Sequence, residues 1–217
     1  MPRIPKASFD ERRNHVIDAA MTCFSQKGFQ KTTMLDVATE AGVSPGALYT
    51  YFNSKEDIIE EAAMKKRQSR AVRMETASLL GGAVASIDQM FTDFYKELER
   101  EDPASESRIR PQIWADALSN KRMKRILKDT WSDVAFGLAE MVRQGQESGE
   151  IDPTLDSKAV ALMLVCIGDG LVLHKLVDPE TMDVTLLGNV LRSFLTGHFN
   201  IGKQRTPKNA KQAKEIL

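Results

Sequence analysis

The sequence of 217 residues has only two cysteines and no net charge, and each of these facts limits the classes of protein that it can encode. Lys+Arg and Asp+Glu both number 30, so the overall charge does not favour a polyanionic partner. Such a partner would have to bind to a local basic patch. Cys23 and Cys166 lie far apart in apolar, helix-patterned stretches, and we expect two reduced core thiols in a cytosolic protein. No Cys/His cluster has zinc spacing, so we predict neither a metal nor a cofactor.

Two further absences concern sheets and membranes. No convincing run of alternating β-branched residues lies between turn signals, and the N-terminus lacks the apolar core of a signal peptide. The most apolar stretch, residues 159–177, carries Asp169, His174 and Lys175. We therefore expect a buried helix of a soluble protein there, with no membrane partner.

Apolar residues recur at helical spacing almost throughout, which predicts an all-α protein. A capping box from Ser8 to Glu11 starts the first predicted helix, and Ser44 with Pro45 starts the third. The predicted helices are approximately 8–27, 33–41, 45–52, 55–80, 83–101, 105–120 (broken, with Pro111 early in it), 121–146, 157–177 and 181–199.

The stretch GVSPGALYTYF, residues 42–52, fits two interpretations. Its first five residues match G-x-S-x-G, in which Ser44 would be the nucleophile of a hydrolase. That motif needs a preceding strand, but the segment LDVATEA is helical, and the possible triad histidines, His174 and His198, lie in helical stretches. With no set of nucleophile, base and acid, we predict no enzyme and no catalytic residues.

The second interpretation is a helix-turn-helix, in which Ser44 caps a helix that faces DNA. Ala47, Leu48 and Phe52 would pack on the first two helices, against Val16, Ala20, Leu35 and Ala38. Pro45, Gly46, Tyr49 and Thr50 would then face outward. Gly46 would allow close approach to base edges, while hydroxyl and amine groups suit phosphate oxygens.

Residues 16–62 resemble the N-terminal domain of the TetR family of one-component transcriptional regulators. The resemblance is carried by Gly28-Phe29, Thr32-Thr33, Ala41-Gly42-Val43-Ser44, Leu48-Tyr49, Tyr51-Phe52 and Ser54-Lys55. Thr50 departs mildly, because the family often has His or another polar residue there. Residues 113–127 look similar to the choline-responsive and drug-responsive branches of the family, and no ligand is named from them.

The resemblance implies a homodimer with DNA-contact roles in the N-terminal domain and a ligand pocket in each C-terminal domain. The implied DNA contacts are Thr33, Ser44, Pro45, Gly46, Ala47, Tyr49, Thr50, Tyr51 and Lys55. The expected division is a helix-turn-helix domain over 8–54, an effector-binding and dimerisation domain over 55–201, and a basic tail over 202–217.

Large apolar side chains in the C-terminal half are the candidates for the pocket, which would suit an apolar or cationic small molecule. They are Met74, Met90, Phe94, Trp114, Trp131, Phe136, Met163 and Ile167. Plain core packing is the alternative for each of them. For Asp169, within an apolar helix, we expect a backbone cap or a pair across the dimer.

The sequence therefore predicts a ligand-responsive regulator, a repressor that binds a palindromic operator as a homodimer and is released by an effector. The alternative is a helical dimer that binds a small molecule but no longer binds DNA.

Overall fold

The computed structural model describes residues 6–78, 81–99 and 106–195, and within these ranges it contains nine α-helices and no strand. The all-α prediction is confirmed. The helices are α1 (Lys6–Lys27), α2 (Met34–Glu40), α3 (Pro45–Tyr49), α4 (Lys55–Ser78), α5 (Ala83–Glu99), α6 (Glu106–Ala117), α7 (Lys121–Ser148), α8 (Ser157–Val177) and α9 (Val184–Leu195). One turn of 3-10 helix, Pro179–Thr181, joins α8 to α9.

Side-chain caps define the first helices much as the sequence predicts. Thr33 and Asp36 form a reciprocal capping box at α2, and the Ser44 hydroxyl accepts a hydrogen bond from the Ala47 amide at 3.2 Å. Gly42, between α2 and α3, has φ 62°, a conformation that glycine adopts without strain. These local signals place α3 at a sharp turn after α2.

Several predicted boundaries are wrong by a few residues. Lys6 and Ala7, both good helix formers, extend α1 before Ser8, so Ser8 is not its cap. Pro111 lies inside the continuous helix α6 rather than at a break. The last helix begins at Val184 because Asp183 accepts a hydrogen bond from the Leu186 amide at 2.9 Å.

The first hydrophobic core is built from both halves of the sequence. Val16, Phe24, Leu48 and Phe52 are fully or almost fully buried in it. The same cluster contains four residues of α6 and α7, namely Ile109, Ala117, Met123 and Ile126. The helix-turn-helix therefore packs directly on the C-terminal half, and the predicted domain division at residues 54 and 55 stays a prediction.

The second core lies among α5, α7, α8 and α9. Ile87, Phe91, Leu138 and Leu164 are among its buried members. On α8, only Val160, Ala161, Leu164 and Val172 are buried. The apolar face of α8 outside this core is left uncovered within the single chain, and the expectation that the helix is buried stays a prediction. By length and composition, α8 is also the one described helix that could cross a membrane.

The two cysteines differ in their surroundings. Cys23 is buried in the first core, and burial raises the pKa of its thiol. Cys166 is exposed on α8, so the prediction of two core thiols is wrong for this residue. The physical reason is the uncovered face of α8.

Candidate functional site

The recognition surface is the outward side of the α2–turn–α3 unit. Thr33, Ser44, Pro45, Gly46, Tyr49 and Thr50 are exposed there, whereas Ala47, Tyr51 and Lys55 are partly buried. Leu48 on the opposite side of α3 is fully buried. A short helix is thus anchored on one side and free on the other.

Individual residues on this surface have distinct surroundings. Tyr49 is 53% exposed, and a Cβ added at Gly46 would meet no atom within 4 Å. The Thr50 hydroxyl donates to the Ala47 carbonyl at 2.6 Å, which fixes its rotamer. Tyr51 packs against Phe9, with ring centroids 4.9 Å apart. A partner molecule can therefore come close to the backbone at Gly46 and contact the exposed ring of Tyr49, while Tyr51 supports the helix.

Leu35 does not join the core, contrary to the sequence prediction. It is 62% exposed on α2, whereas its neighbours Val37 and Ala38 are buried. Apolar spacing over a helix of only seven residues does not determine which side faces inward.

Lys55 faces the protein rather than open solvent. Its ammonium donates to the carbonyls of Phe29 and Gln30 at 2.6 and 3.2 Å and lies 4.7 Å from the centre of the Phe29 ring. Lysine at the start of α4 therefore fastens the turn that precedes α2. Sequence reasoning had considered only a phosphate contact for this residue.

Ion pairs join α1 to α4 and α1 to α2, on the other sides of the helix-turn-helix. Arg13 donates to both carboxylate oxygens of Glu61 and lies 4.5 Å from the centre of the Phe52 ring. Lys27 pairs with Asp36 at 2.6 Å. The hydrogen bonds from Lys27 and Thr33 hold the pKa of Asp36 well below its usual range, so this cap is ionised at neutral pH.

The segment Gly28–Gln30 is also held by side chains of α6, a contact that sequence reasoning missed. The Phe29 amide donates to Gln112 Oε1 at 2.7 Å, and the Gln30 side chain donates to Asp116. Asp116 is 5% exposed, and its second carboxylate oxygen has no partner among the described residues. We call these two contacts the α6 clamp. No sequence signal marks them, because the partners lie more than 80 positions apart.

A second polar cluster joins the start of α4 to the start of α7. Arg122 pairs with Asp57 at 2.6 Å and with Glu60 at 2.5 Å, and Asn120 donates to Glu56. Burial alone would raise the pKa of Asp57, but the hydrogen bonds from Arg122 and the Asn53 amide lower it overall. The two ends of the helix-turn-helix are thus fixed to α6 and α7.

The residues predicted to line a pocket fall into two groups. Met90, Phe94, Trp114 and Ile167 are each partly buried and pack against the second core. Trp131, Phe136 and Met163 are 40%, 77% and 37% exposed. Phe136 is separated by two positions from the buried Leu138, which on a helix puts the two on nearly opposite faces. The side chain of Met74 lies outside the described residues.

Asp169 is partly buried on α8. The positive charge of Arg110 acts on its carboxylate, and so does the Trp131 side chain. The expectation of a backbone cap or of a pair across the dimer stays a prediction. Arg110 in turn lies 5.5 Å from the centre of the Phe94 ring. Burial raises the pKa of Asp169, against the lowering effects of Arg110 and Trp131.

No group of three or more His, Cys, Asp or Glu side chains in the described part of the chain is placed to hold a metal ion. A surface groove of about 320 Å³ lies between α8 and α9. Its lining includes Ile167, Leu171, His174, Met182 and Leu186. Of the predicted pocket residues, only Ile167 reaches it.

An anchored, outward-facing second helix after a tight turn defines a helix-turn-helix DNA-binding protein. Residues 16–62 match the family model described as bacterial regulatory proteins, tetR family, and residues 83–200 match the model described as BetI-type transcriptional repressor, C-terminal. The second match covers more than half of the chain. The chain belongs to the TetR family of transcriptional regulators.

Relatives and solved structures agree with this assignment. The chain is 27% identical over 206 residues to the HTH-type transcriptional regulator TtgR of Pseudomonas putida, covering 91% of this chain and 94% of the relative. A TetR-family regulator from Rhodococcus sp. has 25% identity and a TM-score of 0.68, covering 88% and 98%. A regulator from Saccharomonospora viridis, solved in complex with choline, has 21% identity and a TM-score of 0.71, covering 85% and 95%.

Replacing Lys55 by Gln tests its role in holding the turn before α2. We expect a lower thermal midpoint, because the contacts with Phe29 and Gln30 are lost. We expect no change in the slope of log affinity for DNA against log salt, because the ammonium already donates to two backbone carbonyls. Lys31→Gln is the control. Lys31 is an exposed lysine that lies close in sequence to Thr33 and could join the phosphate contacts, so its loss should lower that slope by about one per chain with no change in midpoint. A reduced slope in Lys55→Gln would contradict this assignment.

Replacing Asp169 by Asn tests the cost of its buried charge. A carboxyl whose pKa is raised on folding destabilises the folded protein at high pH. This destabilisation disappears as the pH falls below the pKa that the carboxyl has in the unfolded chain. The Asn variant should therefore have the higher thermal midpoint at pH 7 to 8, with a difference that shrinks towards about pH 4. Asp129→Asn, at an exposed site on α7, should show no such trend. A less stable Asp169→Asn protein at pH 7 would mean that the pairing with Arg110 outweighs burial.

Proposed function

We propose that the protein is a homodimeric repressor that binds a palindromic operator and is released by a small-molecule effector. The proposal rests on the position of helix α3. Its buried Leu48 anchors the helix in the core, and its Pro45, Gly46 and Tyr49 are exposed. Membership of the TetR family supports the same function. A cytoplasmic location and the lack of enzymatic activity belong to this proposal.

The proposed DNA contacts divide by their chemistry. Gly46 and Ala47 bring the backbone and a methyl group near base edges, and the Thr50 methyl suits a thymine methyl. Thr33, Ser44, Tyr49 and the amides at the start of α2 suit phosphate oxygens. Tyr51 and Lys55 act mainly by supporting this surface, as their contacts with Phe9 and Phe29 indicate.

The uncovered apolar face of α8 and α9 is the proposed dimer interface. Leu162, Leu173, Leu176, Val177, Leu186 and Val190 are exposed large apolar residues on these two helices. A second copy that packs there would form a four-helix contact and fill the groove between α8 and α9. Packing of a second copy also accounts for the apolar face of α8 better than a membrane span does, because α8 contributes residues to the second core.

The proposed effector site lies among α5, α6, α7 and α8, where Phe94, Trp114 and Asp169 are partly buried. Aromatic faces and a carboxylate suit an apolar or cationic molecule. The regulator of the choline complex shares this fold with the chain, so the fold is compatible with a small organic cation.

Release by the effector would be a population shift. In the DNA-binding state, the two recognition helices lie one turn of DNA apart, about 34–36 Å. An effector that binds better to a state with another spacing weakens operator binding, and by linkage the operator weakens effector binding to the same extent.

Fluorescence polarisation with DNA from immediately upstream of the gene tests the proposal. We expect wild-type protein to prefer this fragment over random DNA, with sedimentation showing at least two chains per site. Tyr49→Ala should weaken binding by about tenfold or more, because an exposed contact is lost. Phe136→Ala removes an even more exposed aromatic residue, far along α7, and should bind as wild type.

Two results would contradict the proposal. Tyr49→Ala that binds every fragment as wild type would favour the alternative, a helical dimer that binds a small molecule without DNA. Hydrolysis of an ester, abolished by Ser44→Ala, would instead make Ser44 a nucleophile.

A further inference from the structure

One side of α1 runs past the turn between α2 and α3. A ring nitrogen of His15, Nε2, lies 3.2 Å from the carbonyl oxygen of Ala41, the residue before the turn at Gly42. Nearly two helical turns earlier, the Phe9 ring packs on Tyr51, just beyond the end of α3, with ring centroids 4.9 Å apart. Ala41 precedes α3 and Tyr51 follows it, so the part of α1 between the two contacts lies alongside the recognition helix.

Arg12 lies midway between these two contacts on the same side of α1. Residues three apart are neighbours on a helix surface, and Arg12 is three residues after Phe9 and three before His15. Its side chain is exposed, and no hydrogen bond or ion pair joins it to another residue in the described part of the chain. A permanently charged guanidinium is therefore available at the edge of the recognition surface.

The neighbouring charged residues of α1 face other directions. The Arg13 guanidinium donates to both carboxylate oxygens of Glu61 and lies 4.5 Å from the centre of the Phe52 ring, so it holds α1 to α4. Successive side chains on a helix are about 100° apart, which turns Glu11 about 100° and Asp10 about 200° away from Arg12. Neither acidic residue therefore neutralises the side of α1 that carries Arg12.

The dimensions of DNA determine what a residue beside α3 would meet. The major groove is about 12 Å wide, and an α-helix with its side chains is about 10–12 Å across, so a recognition helix fills the groove. A segment directly beside that helix then lies over the phosphates that border the groove. Arginine suits this position, because its planar guanidinium can donate two parallel hydrogen bonds to one phosphate.

We propose that Arg12 is a further DNA-binding residue, supplied by α1, which binds a backbone phosphate at the edge of the groove that α3 enters. The proposal rests on the operator binding described above and adds a residue outside the helix-turn-helix unit. A phosphate contact carries no base preference, so Arg12 strengthens binding to any duplex. It also fixes the orientation of α3 in the groove, because the contacts of Phe9 and His15 hold α1 against both ends of the recognition helix.

The test is the salt dependence of DNA binding by the full-length protein, measured by fluorescence polarisation. The two probes are the fragment from immediately upstream of the gene and a random duplex of the same length. Arg12→Gln should weaken binding to both duplexes alike, by about fivefold per chain near 0.15 M salt. It should also lower the slope of log affinity against log salt by about one per chain. Arg12→Lys keeps a positive charge and should retain the slope.

Two other arginines provide controls. Arg108→Gln removes an exposed arginine of α6 and should change neither the affinity nor the slope. Arg13→Gln should lower the thermal midpoint, because the contacts with Glu61 and Phe52 are lost. Arg12→Gln should leave the midpoint unchanged, which separates a DNA contact from a structural role.

Two results would overturn the phosphate contact. One is a wild-type affinity and slope in Arg12→Gln. The other is a loss of affinity confined to the upstream fragment, which would mean that Arg12 reads base edges. The random duplex separates this inference from the function on which it rests. Wild-type protein with no preference for the upstream fragment would count against the repressor function, whereas a reduced slope in Arg12→Gln on both duplexes would still support the phosphate contact.

Discussion

The packing of the helix-turn-helix on α6 and α7 is the constraint on which the rest of the structure depends. Ile109, Ala117, Met123 and Ile126 complete the core beneath α1, α3 and α4, so the DNA-reading half has no closed core of its own. Hydrogen bonds from residues 28–30 to Gln112 and Asp116 also fix the orientation of the two halves at this apolar contact. Because packed interiors resist gradual deformation, a shift of α6 must move the recognition surface or break the contact.

The same arrangement is compatible with three partners for one short chain without a strong net charge. In the proposed function, DNA would bind the exposed side of α3, a second copy would pack on α8 and α9, and a small molecule would bind among the helices between them. Ion pairs such as Arg13 with Glu61 and Arg122 with Asp57 use basic residues internally, which is consistent with balanced charge over the whole sequence. In the proposed function, affinity for phosphate would depend on helix ends, hydroxyl groups and a few exposed lysines.

Local signals allowed much of the fold to be predicted, whereas contacts between distant residues could not be. The caps at Thr33 and Ser44, the turn at Gly42 and the long apolar helices follow from neighbouring residues. Leu35 lies outside the core that the sequence predicted for it, and Phe136 is exposed, because apolar character alone does not fix the side of a helix that faces the core. The α6 clamp joins residues far apart in sequence, and a single sequence carries no signal for such pairs.

The most direct test of the account is the effect of Gln112→Ala on hydrogen exchange of the Phe29 amide and on operator affinity, in the full-length protein. Gln89→Ala, at an exposed residue of α5 whose side chain donates only locally to Asp93, is the matched control. We predict that Gln112→Ala exposes the Phe29 amide to exchange and weakens operator binding about fivefold, although Gln112 lies on α6 outside the recognition surface, and that the control changes neither. Faster exchange at Phe29 with unchanged operator affinity would contradict the claim that α6 holds the recognition helix in place.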